Sequence, residues 1–239
     1  MKISIYNEFE FKIKKRYNEF KLKILLPIVY ILHKLKISPN FVSFIGFLFS
    51  FLFYLKLAIF KGYSNILIIL LLYIFFDNLD GSLANYEKAD EDVGTIIDSF
   101  FDLTSLFLIL MGLSAIGKIS YTDSLVFILL YWFIIFGGII ANFNNLKILI
   151  LRLRIIIFTV FILNNLFERP IIDLNICMKY SILAQAFSAF TIMQAFIIHR
   201  KKIQIPKVLL KSFANIKIMA YIALLIVAGV FIKEFNHFF

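Results

Sequence analysis

The sequence predicts an all-α, polytopic transmembrane helical bundle preceded by an interfacial amphipathic helix. Three observations predict it. Of the 239 residues, 62% are hydrophobic and only 17% are charged, and the mean hydropathy is +0.91. A soluble domain of this length carries more charge and cannot enclose so much Leu, Ile and Phe in one core. Several apolar runs reach the roughly 20 residues that a helix needs to cross a hydrocarbon layer of about 30 Å. No alternating barrel pattern is present, so the backbone groups that lipid cannot satisfy must be paired within helices.

The elements follow in order. Residues 1–37 read as a cytoplasmic, interfacial amphipathic segment, in which Phe9, Phe11, Phe20, Leu22, Ile24, Leu25, Ile28 and Leu32 alternate with Lys12, Lys14, Lys15, Arg16, Lys21 and Lys23. Its first 23 residues lack the apolar stretch and cleavage site of a signal peptide. The transmembrane domain, 38–239, opens on Ser38-Pro39, a capping hydroxyl followed by a proline suited to the first helical turn. A first span is expected from Asn40 to Phe60, and a second from Ile66 through Phe76 to a polar stretch that starts at Asp77. Further spans are expected over Val93–Ile116, Leu125–Ala141, Ile148–Leu166 (interrupted by Arg152 and Arg154 and therefore short), Leu174–Ile198 and Ile216–Ile232.

Net charge is +10, with nine of the 25 Lys and Arg before residue 37 and another cluster over Arg200–Lys211. Such clusters flank apolar segments, where they set topology and meet anionic headgroups, so nucleic acid is excluded as a partner. With a cytoplasmic N-terminus the inside loops are 77–93, 142–154 and 200–211. The last two are basic, as the positive-inside rule requires. The first is acidic, and that anomaly points to function. Cys177 is the only cysteine, which excludes an internal disulfide.

The acidic segment reads Asp77-Asn-Leu-Asp80-Gly81-Ser-Leu-Ala84-Asn85, then eight residues, then Gly94-Thr-Ile-Ile-Asp98-Ser-Phe-Phe-Asp102. Asp77 and Asp80 are three residues apart and Asp98 and Asp102 four, so each pair shares one face of its helix. Gly94 lies one turn before Asp98, where a missing side chain admits a close neighbour. Tyr86 to Val93 is a turn of suitable length for an antiparallel helix pair. Four carboxylates would then face one another near the membrane surface. An ionised Asp near a helix centre costs about 2.5–3.5 kcal/mol, less towards the interface. Lys88 is the only basic residue in the motif, so compensation must come from elsewhere, and hard divalent cations fit carboxylate oxygens. Simple capping would explain Asp77, Asp80 or Asp92 singly, but not Asp98 and Asp102 among Ile96, Ile97, Phe100 and Phe101.

These residues carry a resemblance. The pattern Asp-x2-Asp-Gly-x2-Ala followed by Gly-x3-Asp-x3-Asp resembles the signature of the CDP-alcohol phosphatidyltransferase family, at Asp77, Asp80, Gly81, Ala84, Gly94, Asp98 and Asp102. The stretch Ser38–Gly46 also resembles that family's entry to its first span. The resemblance covers roughly the first 105 residues. It implies a helical membrane bundle with an interfacial N-terminal helix and a six-span core, to which the apolar runs allow a seventh span, and the span count puts the active site on the cytoplasmic face. It implies displacement of CMP from a CDP-linked lipid, CDP-diacylglycerol or a relative, by an alcohol or phosphoalcohol. On that basis Asp77, Asp80 and Asp98 bind two Mg²⁺ or Mn²⁺ ions, Asp102 completes the second site and acts as general base, and Gly81 lies against the cytidine nucleotide.

The chain departs from the family at Asn85, where members usually carry Arg, and at Glu91, which replaces a hydroxyl residue. Both positions, with Ala84 and Gly94, belong to the donor side. An amide donates a hydrogen bond to phosphate but cannot form the guanidinium fork. Lys147, Arg152 and Arg154 are candidates for an acceptor phosphate, against plain positive-inside anchoring. Asn142, Asn144 and Asn145 either line an acceptor pocket or end their helix, and Gly137-Gly138 serves helix packing. Two other functions stay open: a catalytically silent lipid-binding membrane protein, and an intramembrane prenyltransferase, whose Asp-rich motifs normally stand far apart. Membrane lipids are expected partners, and a homodimer is compatible with the sequence.

Overall fold

The structure, a computed structural model, describes residues 8–87, 91–146, 148, 151, 153–167, 170, 172–204, 221, 225, 226, 228 and 229; at 8–17, 91–93 and 95 the description is of the backbone. Seven α-helices and no strand occur among the described residues: α1 Glu8–Lys34, α2 Pro39–Tyr54, α3 Ile66–Glu87, α4 Glu91–Ala115, α5 Tyr121–Phe143, α6 Arg154–Leu166 and α7 Leu174–His199. A single π turn, Leu55–Ile59, extends α2. Among the described residues five helices are long and apolar enough to cross a membrane: Pro39–Ile59, Ile66–Glu87, Ile96–Ala115, Tyr121–Phe143 and Leu174–His199. With 13 residues α6 is shorter, about 20 Å at 1.5 Å per residue. The polytopic bundle expected from composition is therefore present.

Local chemistry sets the boundaries. The Ser38 hydroxyl accepts from Phe41 N at 3.3 Å and Pro39 fills the first turn of α2, as the sequence suggested. The polar stretch from Asp77 does not leave the second span as a loop over 77–93, because α3 stays helical to Glu87. Its small polar side chains bond back along the helix: Asn78 Nδ2 to Ile74 O at 2.7 Å, Ser82 Oγ to Asn78 O at 2.8 Å and Asn85 Nδ2 to Gly81 O at 2.7 Å. On the opposite side Leu79 and Leu83 pack with Val29 of α1 and Val42 of α2. Of the turn expected over Tyr86–Val93, Tyr86 and Glu87 belong to α3 and residues 91–93 to α4, and residues 88–90 lie outside the described residues. The fourth span starts at Tyr121, four residues before Leu125, with Asp123 in its first turn, where a negative charge suits the helix dipole. The fifth, expected from Ile148, becomes helical only at Arg154. Of the expected span Ile216–Ile232, residues 221, 225, 226, 228 and 229 are described, all helical; the remainder lies outside the described residues.

The central element is α4. Within Ile96–Ala115, 89% of the most apolar window is buried, against 28% for α7. It carries apolar residues around its whole circumference, which suits a helix surrounded by others. Its small polar residues close onto the backbone, Thr104 Oγ1 to Phe100 O at 3.0 Å for example, while Ser114 Oγ meets Ser124 Oγ of α5 at 2.7 Å. Around it, α2 packs against both α3 and α4, α5 against α4 and α7, α6 against α7, and α1 against α3. By contrast, α3 and α4 barely touch each other.

Glycines mark the close crossings. A Cβ on Gly46 would meet Phe76 Cβ at 3.4 Å, and one on Gly112 would meet the Tyr54 backbone Cα at 3.3 Å. One on Gly137 would meet Ile192 Cγ2 at 2.8 Å, in keeping with the packing role read from the sequence. Asn144 ends α5 and joins Gln204 through paired contacts of 2.8 and 2.9 Å, which is the helix-ending alternative for that residue. Gly112→Val should force α2 away from α4 and lower stability by about 1–3 kcal/mol. Thermal unfolding of the detergent-solubilised variant measures this.

Candidate active site

One end of the bundle gathers the acidic residues. Asp77 and Asp80 lie in the last three turns of α3, Asp98 and Asp102 in the first three of α4, and Arg154 opens α6. Although α2 separates most of α3 from α4, Asp77 of α3 and Asp102 of α4 come within hydrogen-bond reach of each other. Arg154 contacts both. Its Nη1 stands 2.7 Å from Asp102 Oδ2 and its Nη2 3.4 Å from Asp77 Oδ1. The nearer approach is off the N–H axis, so it acts as a charge contact and not an aligned hydrogen bond. Side-chain exposures of 23% for Arg154, 20% for Asp77 and 21% for Asp102 put the pair between solvent and core, where charges interact more strongly than at an open surface.

The other two carboxylates complete the group. Asp80 is buried, 4% exposed, and its Oδ1 accepts from Gly81 N. It lies within the fields of Asp98 and Asp77 and beside the Ser43 hydroxyl of α2. Asp98 is exposed and also acts on Asp102. The four aspartates singled out by spacing are thus in one electrostatic neighbourhood. Among the described residues they do not form a ready-made cage, since no three His, Cys, Asp or Glu side chains stand where they could share an ion.

A sequence model described as CDP-alcohol phosphatidyltransferase matches residues 36–237. The chain belongs to the CDP-alcohol phosphatidyltransferase family. Phosphotransfer from a CDP-alcohol in phospholipid synthesis is the activity that membership carries. No curated protein and no solved structure matches the chain. The match runs well beyond the residue-by-residue resemblance, which stopped near residue 105, and takes in α5, α6 and α7.

The two motif glycines are loosely surrounded. Among the described residues a Cβ on Gly94 would meet nothing within 4 Å, and one on Gly81 only the Lys21 ammonium, at 3.6 Å. Neighbouring protein atoms therefore do not explain why these positions are bare. Ala84 is half-buried. Asn85, at the departure from the family pattern, is exposed and turns its amide back onto Gly81 O. Glu91 opens α4, where the backbone alone is described; Lys147 and Arg152 lie outside the described residues.

The sequence placed Arg154 with an acceptor phosphate and sought the compensating charge in metal ions. In the structure Arg154 itself supplies part of that charge. Two further residues escaped the sequence reading. Tyr73 is buried, its hydroxyl has no hydrogen-bond partner, and it stands in the fields of Asp77, Arg154 and Asp102. Its spacing, one turn before Asp77 on the same face, was the available signal. The other is Lys21, lost among the many basic residues of the N-terminal segment.

Arg154→Met should lower stability by about 1–3 kcal/mol, below the full value for a buried pair because all three side chains are partly exposed. Adding Asp102→Asn should return part of the loss, since it removes a carboxylate left without its cation. Thermal unfolding of the single and double variants in chelator tests the coupling.

Proposed function

We propose that the protein displaces CMP from CDP-diacylglycerol, or a related CDP-linked lipid, with an alcohol or phosphoalcohol, at the cytoplasmic side of the membrane. The observation that carries this reading is the convergence of Asp77, Asp80, Asp98 and Asp102 beside the bare Gly81 and Gly94. An all-carboxylate donor set suits Mg²⁺ or Mn²⁺, and the four aspartates would hold two such ions. When bound, these ions neutralise charge on the donor diphosphate and on the departing CMP.

The chain's own groups supply the rest. Gly81 and Gly94 let the nucleotide lie close against α3 and α4, and Ala84, Asn85 and Glu91 border the donor. The acceptor oxygen attacks the lipid-side phosphorus, and the phosphorus–oxygen bond to CMP breaks. The hydroxyl proton passes to Asp102, within reach once the acceptor is seated. Arg154 offsets the charge of Asp102 and Asp77, which meet within hydrogen-bond reach of each other, before substrates arrive, and with Lys147 and Arg152 it is the candidate contact for a phosphate on the acceptor. Its engagement with Asp102 makes these roles successive: the guanidinium must yield the carboxylate before that oxygen can take a proton.

The test is incubation of the purified protein with CDP-diacylglycerol, Mg²⁺ or Mn²⁺ and a panel of polyols and polyol phosphates, with the lipid product identified by mass. CMP release matched by a new lipid is expected; the silent lipid-binding alternative gives no CMP with any acceptor. Asp102→Asn should reduce turnover by about 10²–10⁴-fold, the usual share of a general base, while donor binding survives. Unchanged turnover in that variant removes Asp102 from the base role.

A further inference from the structure

We propose that Lys21, carried by α1, is a phosphate-binding residue for the diphosphate of the CDP-linked donor. The inference rests on the donor reading above and adds a residue that lies upstream of the segment matched to the family. Lys21 sits on the last stretch of α1 before that helix settles on the bundle through Leu22, Leu25, Val29 and Leu32, which pack with Leu79 and Leu83 of α3. That apolar seam fixes α1 against the motif helix. His33 holds the far end, with Nδ1 3.0 Å from Glu87 Oε1 and its ring edge-on to Tyr86.

With α1 seated in this way, Lys21 is half-buried while Lys23 remains exposed. A lysine on an interfacial helix ordinarily extends its ammonium into water. Here the ammonium stands over Gly81, 3.6 Å from where a Cβ would be, and acts on Asp77. Any side chain at 81 would fill the space between the ammonium and the helix. The result is a cation beside bare backbone, next to the carboxylate group. Such an arrangement suits an anion that touches α3 closely and spans towards Asp77. A nucleoside diphosphate has that form, with one end held by the acidic group through cations and an oxygen left for the lysine.

Position 85 bears on the same point. Asn85 lies one turn beyond Gly81 on the same face and carries no charge, and its amide is turned to Gly81 O. The cation that a basic side chain would project from α3 at this turn is instead delivered from α1.

The experiment compares wild type, Lys21→Gln, Lys21→Arg and Lys23→Gln in mixed micelles of CDP-diacylglycerol with Mn²⁺. Lys21→Gln should raise the donor KM about tenfold with kcat within about twofold, the size of one lost charge-assisted contact. Lys21→Arg and Lys23→Gln should stay near wild type, and Asn85→Arg should recover the KM lost in Lys21→Gln. An unchanged KM in Lys21→Gln overturns the assignment. So does a loss confined to kcat or to the Mn²⁺ requirement, which marks Lys21 as a tether for Asp77. Amine-acylation footprinting of the wild type avoids dependence on folded variants: CDP with Mn²⁺ should protect Lys21 and leave Lys23 labelled. Release of CMP by wild type with Lys21 unprotected overturns this inference alone, whereas absence of both CDP binding and CMP release removes the donor reading with it.

Discussion

Carboxylates inside a bundle of apolar helices have to be neutralised, and the contact of Arg154 with Asp77 and Asp102 is where this chain does so. Without it, two carboxyl groups within hydrogen-bond reach of each other would have no cation beside them, in surroundings that screen charge less than water does. The contact also explains an element boundary. Helix α6 opens at Arg154, the residue whose side chain is held by α3 and α4. A single guanidinium thus joins three helices, beside the edge-on contact of Tyr73 on α3 with Phe158 on α6.

That geometry gives the site its character. The packing that keeps α3 and α4 apart is made by α2, which approaches both closely at Gly46 and Gly112. The cations beside the acidic group come from different parts of the chain, Arg154 from α6 and Lys21 from α1. A partly buried pair of this type contributes little net stability compared with an apolar replacement.

The aspartate group was legible because helical spacing alone puts residues three and four apart on one face, and α3 and α4 kept that spacing through the motif. The membrane class was legible from apolar run length. Arg154 was visible as a basic residue near the site, but nothing in the sequence encodes its pairing with Asp77, 77 positions away. That pairing depends on the way α4 and α5 carry the chain away from the acidic end and back to it. Lys21 was hidden by composition, since one lysine among nine early basic residues has no distinguishing pattern. Tyr73 could have been found, because it shares the face of Asp77 at a distance of one turn. The loop expected over 77–93 failed for a local reason: Asn78, Ser82 and Asn85 look like turn formers, yet each bonds back to its own helix while Leu79 and Leu83 fasten that helix to α1 and α2.

The central claim is that this acidic group is a divalent-cation site whose charge Arg154 balances until the ions and the donor arrive. Titration of the purified protein with Mn²⁺, followed by loss of the free-ion electron paramagnetic resonance signal with and without CDP, tests it most directly. The account predicts saturable binding that tightens with CDP, tightens further at low Mn²⁺ in Arg154→Met, and is lost in Asp80→Asn and Asp98→Asn. Mn²⁺ binding that is absent in the presence of CDP, or that persists unchanged when both aspartates are replaced, would contradict it.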